Sequence, residues 1–336
     1  MNPDALTIME APGRRLAKLI RPGAESVGYD STRTVNLSSA IAPTLDALAR
    51  LLVDLLHRPD RCILRGAIAD PARARRVRRL LHADPKTGEA PTLLDVPRSW
   101  VALDLDGVAA PAGLDLMDLA ACGHVARAGL PDAFHGAACI AAATASHGFK
   151  PGLRVRLWFR LSRPVDGAEA VRWLRPFKGM GLDLATLRPV QATYTAAPVF
   201  ADGMRDPLPH RLARLDGAAA VAVPGAAELA PQEPRRAPPT LPRTDSSDAY
   251  ARAALRRACV AIATAPVNSR HETAVDEAWG LARLVRANLL TEGEVKRAVD
   301  GALHEAGKER GEGEKIAEWA LAHRTDSGAH PREDRR

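Results

Sequence analysis

Several features are scarce or missing in this chain. Its 336 residues hold four cysteines, Cys62, Cys122, Cys139 and Cys259, widely spaced and with no Cys-x-x-Cys pair. That excludes a zinc knuckle and a disulfide framework and leaves reduced, mostly buried thiols as the expectation. Nowhere do about 18 apolar residues run without a charge, the length a membrane span needs. The first thirty residues contain Glu10, Arg14, Arg15 and Lys18 and no long apolar run, so a cytoplasmic protein with no membrane partner is expected. There is no Gly-x-x-x-x-Gly-Lys-Ser/Thr loop, no dinucleotide-binding glycine fingerprint and no serine nucleophile elbow, which removes a fused helicase ATPase and the common dehydrogenases and hydrolases. No internal repeat is present.

What is there is a basic chain, with a formal charge of +7 and a pI near 9.6. Such a charge favours a polyanionic partner, nucleic acid first. Arginine greatly outnumbers lysine, but a GC-rich genome enriches arginine together with Ala, Gly and Pro, so the bias itself says little. With 46% hydrophobic residues the chain can build one substantial core and a second, smaller one.

Apolar spacing predicts a helix over residues 43–56, and Arg61-Cys-Ile-Leu-Arg-Gly66 reads as a short strand ending at glycine. The basic run at residues 72–79 is either a solvated face or a phosphate contact. Trp100 to Gly107 alternates as a strand does, followed by a helix near 115–128, a buried strand at 137–144, and the loop Ser146-His-Gly-Phe-Lys-Pro-Gly152. That loop feeds a second strand, Leu153 to Leu161, and a short helix over 166–176. The Ala- and Pro-rich stretch 217–246 is the expected linker. Beyond it, a helix opens near Ser247, and Ser269/Glu272 and Thr291/Glu294 have capping-box spacing, which predicts a helical domain over 247–325 and a polar, disordered tail over 326–336.

The strand Val-Ala-Leu-Asp104-Leu-Asp106-Gly carries the strongest chemical signal. Residues two apart on a strand share a face, at about 6.5–7 Å between Cα atoms, so both carboxylates can meet one hard cation. Left uncompensated among Val101, Leu103 and Leu105 they would be costly to bury. The string Leu-Asp-Leu-Asp-Gly-Val is similar to the first motif of haloacid-dehalogenase-type phosphatases; for the later acidic motif of that family only Asp202 and Asp206, after Ala201, have the spacing.

Taken in order, Asp104-x-Asp106, the Ser146–Gly152 loop leading into Arg-Val-Arg-Leu-Trp-Phe159, and Asp183 resemble the three-motif pattern of the archaeo-eukaryotic primase superfamily, and more closely the primase-polymerases of phages, plasmids and integrated elements. Leu64-Arg-Gly66, Leu93 to Trp100 and Gln191 to Pro198 share in the resemblance, which covers about residues 60–216. It implies an α+β protein: an RRM-like catalytic core with flanking strands and helices over residues 1–216, then a small helical domain. It also implies a nucleotidyltransferase acting on a single-stranded DNA template and nucleoside triphosphates, with a separate helicase or replication initiator as partner.

The same resemblance implies that Asp104, Asp106 and Asp183 bind Mg²⁺ or Mn²⁺ and form the catalytic set. Ser146, His147, Lys150, Arg154, Arg156 and Arg163 would hold the triphosphate, while Arg65 and Arg211 would meet the template or primer backbone and Gln191 and Tyr194 a base or sugar. Arg156 stands where the family has a histidine. An arginine keeps phosphate binding but not proton transfer. A phosphatase and a non-catalytic nucleic-acid-binding replication protein remain alternatives.

Overall fold

The computed structural model describes residues 1–201, 203–230, 245–267 and 269–325. Residues 231–244 of the expected linker, the expected tail and Asp202 lie outside them. The protein is α+β and divides into two compact units, Met1–Ala230 and Pro231–Arg336.

The first unit begins with β1 (Ala5–Glu10), β2 (Leu19–Arg21), β3 (Glu25–Val27) and β4 (Asn36–Ile41), then α1 (Leu45–Leu56) and β5 (Arg61–Leu64). Thr44 caps α1 by accepting from the Ala47 amide at 3.1 Å, and Leu45, Leu48, Leu52 and Leu55 form its buried stripe. Next come β6 (Ala67–Ile68), β7 (Leu93–Leu94), β8 (Arg98–Val108), α2 (Leu119–Ala128), α3 (Asp132–His135), β9 (Cys139–Ala143), β10 (Leu153–Val165) and α4 (Gly167–Leu174). The unit closes with β11 (Leu182–Asp183), β12 (Ala192–Tyr194), β13 (Val199–Phe200) and β14 (Leu212–Leu215).

Two antiparallel sheets dominate it. The central one has the order β11-β8-β10-β9-β14 and the second β12-β5-β1-β4. Alternation on the two long strands sorts the central sheet into two faces. Val101, Leu103 and Leu105 of β8 and Val155, Leu157 and Phe159 of β10 pack with Leu119 and Cys122 of α2, Phe134 of α3 and Trp173 of α4. The even-numbered residues Trp100, Ala102 and Trp158 turn the other way, against Leu48 and Leu52 of α1 and Leu6 and Ile8 of β1. Asp104, Asp106, Arg154 and Arg156 continue this second face toward the end of the sheet, where the apolar cover stops.

The Ala/Pro-rich stretch leaves this unit later than its composition suggests. Ala218 bridges Ala137, Val221 bridges Leu161, and Val221 is fully buried. The extra pairing comes from sheet edges far away in sequence, which composition does not register.

In the second unit, α5 (Asp245–Ala263), α6 (Arg270–Arg286), α7 (Glu292–Glu305) and α8 (Glu312–His323) bury an alanine-rich core that includes Ala258, Ala278, Val295, Val299 and Ala317. Thr291 and Glu294 form the expected capping box. Ser269 does not: it precedes α6 with helical backbone angles and makes no side-chain cap. Its hydroxyl donates to the Pro266 carbonyl instead.

Candidate active site

Pairing across the central sheet sets three of the predicted residues in one row. Arg156 lies opposite Asp104 on β8, and Asp183 of β11 lies opposite Asp104 on its other side. Directly opposed residues of antiparallel strands project from the same face. Leu182 joins the apolar face with its partner Leu105, so Asp183 falls on the face of Asp104. One step along, Arg154 is registered with Asp106.

The two arginines pair with the two aspartates. An Arg156 amino group lies 2.6 Å from Asp104 Oδ2, and the other donates to the Tyr194 carbonyl at 2.5 Å. Arg154 pairs with Asp106. The environments differ: the Asp104 side chain is 18% exposed and that of Asp106 64%.

A cavity of about 110 Å³ opens over this row. Leu52 and Leu56 of α1, Ala142, Trp158 and Leu212 give it an apolar floor; Asp104, Asp106 and Arg156 form one wall, and Lys18, Tyr29, Tyr194 and Ser146 stand around it. The Tyr29 and Tyr194 rings stack at 3.4 Å between centroids, with the Lys18 ammonium 5.8 Å from the Tyr29 ring centre. Burial pushes the Tyr29 phenol up to about 12, so its hydroxyl stays protonated at neutral pH.

Unsatisfied polar atoms gather here. Asp104 Oδ1, Arg156 Nε, Trp158 Nε1 and Thr195 Oγ1, all from residues lining the cavity, are buried without a hydrogen-bond partner, as is Arg154 Nε. Buried polar groups in folded proteins are almost always paired, so a cluster of orphans around one cavity marks a place where water or a polar ligand completes the bonding.

Several expected ligand-binding residues have other tasks. Arg65 is 2% exposed and ties β8 to β10 by donating to the Trp100 carbonyl at 2.9 Å and the Val165 carbonyl at 2.7 Å. Arg211 is also buried and grips Asp206 with two bonds, at 2.5 and 2.8 Å. Neither presents a guanidinium to a nucleic-acid backbone. Asp206 is thereby engaged as well and is not free for a phosphatase site; Asp202 lies outside the described residues.

His147 has no exposed surface. Its Nε2 lies 2.8 Å from the Leu116 carbonyl and its Nδ1 3.2 Å from the Arg154 amide, an arrangement that fits the neutral ring with its proton on Nε2. Burial pulls its pKa below the usual histidine value. It braces the loop rather than facing a nucleotide. Arg163 is engaged by Glu169 at 2.6 Å and by the Pro224 carbonyl, at the far end of β10 from the aspartates.

Lys150 is exposed and outside the cavity lining, while Ser146 lines it. The glycines of this loop serve the turn: Gly148 and Gly152 have φ of +80°, and a Cβ on Gly152 would stand 2.7 Å from the Val108 carbonyl oxygen. Gln191 borders a different cleft, with Arg33 and Arg79. Tyr194 is the one expected base or sugar contact that reaches the cavity. Sequence reasoning missed Lys18 and Tyr29, which flank the short strands β2 and β3 and belong to no motif.

The metal expectation meets a divided site. Among the described residues, no three His, Cys, Asp or Glu side chains gather to hold an ion. The Asp183 carboxylate accepts from the Ala185 amide at 2.8 Å, capping a short 3-10 turn, and is not part of the cavity lining. Asp104 and Asp106 fit a hard cation nonetheless. Asp104 Oδ1 is an unpartnered buried acceptor, and Mg²⁺ commonly takes one or two protein carboxylates and fills its shell with water and substrate phosphate.

Comparison of the chain with protein-family models, with curated proteins and with solved structures found no match. Among the described residues no helix is long and apolar enough to cross a membrane.

Proposed function

We propose that the first unit is a metal-dependent nucleotidyltransferase of the primase-polymerase type, with an RRM-like core and its reaction centre at the cavity over β8 and β10. The observation that carries this reading is the set of orphaned polar atoms around that cavity, one carboxylate acceptor beside donors from Arg156, Trp158 and Thr195. A ligand that pairs them all must offer acceptors to the donors and bring a cation to the carboxylate. A nucleoside triphosphate with its divalent metal does both.

Each residue then has a task. Asp104 and Asp106 would hold Mg²⁺ or Mn²⁺, which supplies charge neutralisation at the reacting phosphates and favours ionisation of an attacking hydroxyl. Arg156 and Arg154, ion-paired while no ligand is bound, turn their forks to phosphate oxygens, a bidentate geometry that suits guanidinium. Tyr29 and Tyr194 offer a flat apolar surface with neutral hydroxyls for a base or sugar. Asp183, opposite Asp104, supports that acid's position from the neighbouring strand. A guanidinium at position 156 binds and orients but does not carry protons, so proton removal falls to solvent.

The test is incubation of the full chain with single-stranded DNA, with and without a primer, labelled nucleotides and either metal. Template-dependent product that disappears in Asp104→Ala and Asp106→Ala supports the proposal; no product under either metal overturns it. The pairing of both carboxylates with arginines favours a second reading, a nucleic-acid-binding protein of the same fold without catalysis. That reading predicts salt-sensitive binding with no incorporation.

A further inference from the structure

The basic run at residues 72–79 is held so that Arg75 and Arg76 point outward. Ala74 is 7% exposed, and its carbonyl accepts from the Leu37 amide at 2.7 Å; Val77 exchanges two backbone bonds with Val35, each 2.9 Å. These two anchors pin the segment against β4. Arg75 and Arg76 between them are exposed, and Arg76 adopts φ of +53°, a left-handed conformation disfavoured for a residue with a Cβ. The Asn36 side chain accepts from its amide at 3.1 Å.

Two adjacent clefts share Thr32 and Arg33. One, of about 900 Å³, is lined by Arg14, Arg33, Arg75 and Arg76, and the other, of about 320 Å³, by Arg33, Arg79 and Gln191. Arg14, Arg33, Arg75 and Arg76 have no acid partner among the described residues, and Arg79 donates to the Val190 carbonyl. The acid that lines the larger cleft, Asp30, is engaged by Arg15, through its backbone amide at 2.7 Å and its guanidinium at 3.3 Å. Of the six arginines lining the two clefts, Arg78 is paired with Asp84 and Glu89, and the other five have no carboxylate partner among the described residues.

The groove and the cavity are bordered by one stretch of chain. Tyr29 lines the cavity and Asp30 to Asn36 line the larger cleft, so one short segment borders both. Arg33 lies four positions beyond Tyr29, at most about 14 Å of chain.

We infer that the Arg14–Arg33–Arg75–Arg76 groove is the track for the backbone of a single-stranded nucleic acid, delivering its unpaired bases toward the Tyr29–Tyr194 stack. A row of free guanidiniums tracks phosphates without reading sequence. Aromatic rings beyond it suit unpaired bases, because stacking requires an open π-face and a duplex has none to offer. The inference rests on the proposed function for the meaning of the cavity, but binding along the groove stands or falls separately.

The experiment measures binding of a fluorescent oligothymidylate to the full chain by anisotropy across a salt series. It compares the wild type, the triple variant Arg33→Glu/Arg75→Glu/Arg76→Glu and a charge-reversal control, Arg256→Glu/Arg257→Glu, at exposed positions of α5, each shown to be folded by circular dichroism. We expect the triple variant to bind at least ten-fold more weakly, with a log–log salt slope shallower by about 2, since each lost phosphate contact on a single strand removes roughly 0.7. The Arg256→Glu/Arg257→Glu control, whose residues line neither cleft nor the cavity, should stay close to the wild type in affinity and slope.

Wild-type affinity and slope in the triple variant overturn the inference, as does absence of binding by the wild type. If polyglutamate displaces the strand as readily as unlabelled DNA does, the groove is a general anion surface and the assignment to nucleic acid is overturned. Intact binding together with absent nucleotidyl transfer overturns the proposed function and leaves the groove standing.

Discussion

The Arg156 guanidinium lies 2.6 Å from Asp104 Oδ2, while Oδ1 of the same carboxylate is buried with no partner. One oxygen is neutralised from the neighbouring strand and the other is left for something the chain does not supply. This half-satisfied pair makes the metal question testable without any catalytic assay.

Removing the arginine should expose the conflict. Arg156→Ala leaves a largely buried carboxylate without its counter-charge, a change that typically costs about 3–5 kcal/mol when burial is complete. With Asp104 18% exposed, we expect about 2–3 kcal/mol by urea titration of the first unit. Millimolar Mg²⁺ or Mn²⁺ should restore part of that loss, and more than it stabilises the wild type, because the freed oxygen becomes a ligand. Equal metal effects on both proteins would count against Asp104 as a metal ligand.

Arg65 supplies the opposite case, a cation whose worth is structural. Burial drops its pKa to about 10, still well above neutrality, so it remains charged and depends on the Trp100 and Val165 carbonyls. Arg65→Ala should destabilise the first unit by about 3 kcal/mol or more, since two buried acceptors lose their donors. Arg65→Lys should recover little of it, because an ammonium cannot reproduce the fork. Oligonucleotide affinity of the folded fraction should stay unchanged.

His147 should give the fold a pH dependence. Its folded pKa lies below the ordinary value of 6.5, so the unfolded chain binds the proton more readily. The stability it contributes is complete above about pH 6.5 and is lost as pH falls through the lower folded value. Urea midpoints taken between about pH 7.5 and about pH 5 should decline more steeply for the wild type than for His147→Asn. That variant should also be less stable at the upper end of this range, by about 1–3 kcal/mol, through loss of the bond to the Leu116 carbonyl. Parallel pH profiles would contradict this role for His147.

Gly152 is where the loop meets the site. With φ at +80°, and with the Val108 carbonyl oxygen only 2.7 Å from where a Cβ would sit, the position leaves no room for a side chain. Gly152→Ala should push the start of β10 from the end of β8 and disturb the Arg154–Asp106 pair. We expect a loss of about 1–3 kcal/mol and a larger proportional loss of any nucleotide incorporation than of stability. Unchanged thermal midpoints would show that the loop shifts without cost.

The chain's local patterns determined a good deal. Alternation from Trp100 to Gly107 fixed that Asp104 and Asp106 share a face, and the leucine spacing before His57 fixed α1. The Thr291/Glu294 spacing produced a true capping box. All of these depend on neighbours a few residues away, which is the range over which strand pleat and helix periodicity act.

Tertiary structure decided which charged and polar side chains are free to bind anything. Arg65 reaches a carbonyl 100 positions distant, Arg211 a carbonyl 67 positions distant, and His147 one 31 positions distant. Burial and partners at such range leave no trace in spacing, so arginines that read alike in sequence separate into buried struts, such as Arg65 and Arg211, and open cations, such as Arg33 and Arg75. Ser269 shares the capping spacing of Thr291 but not its extended backbone, and the path of the chain entering the helix settled that difference. The two aspartates were legible as a pair from the start; their arginine counter-charges exist only because β10 lies beside β8, and the unpaired Asp104 oxygen shows only once those partners are in place.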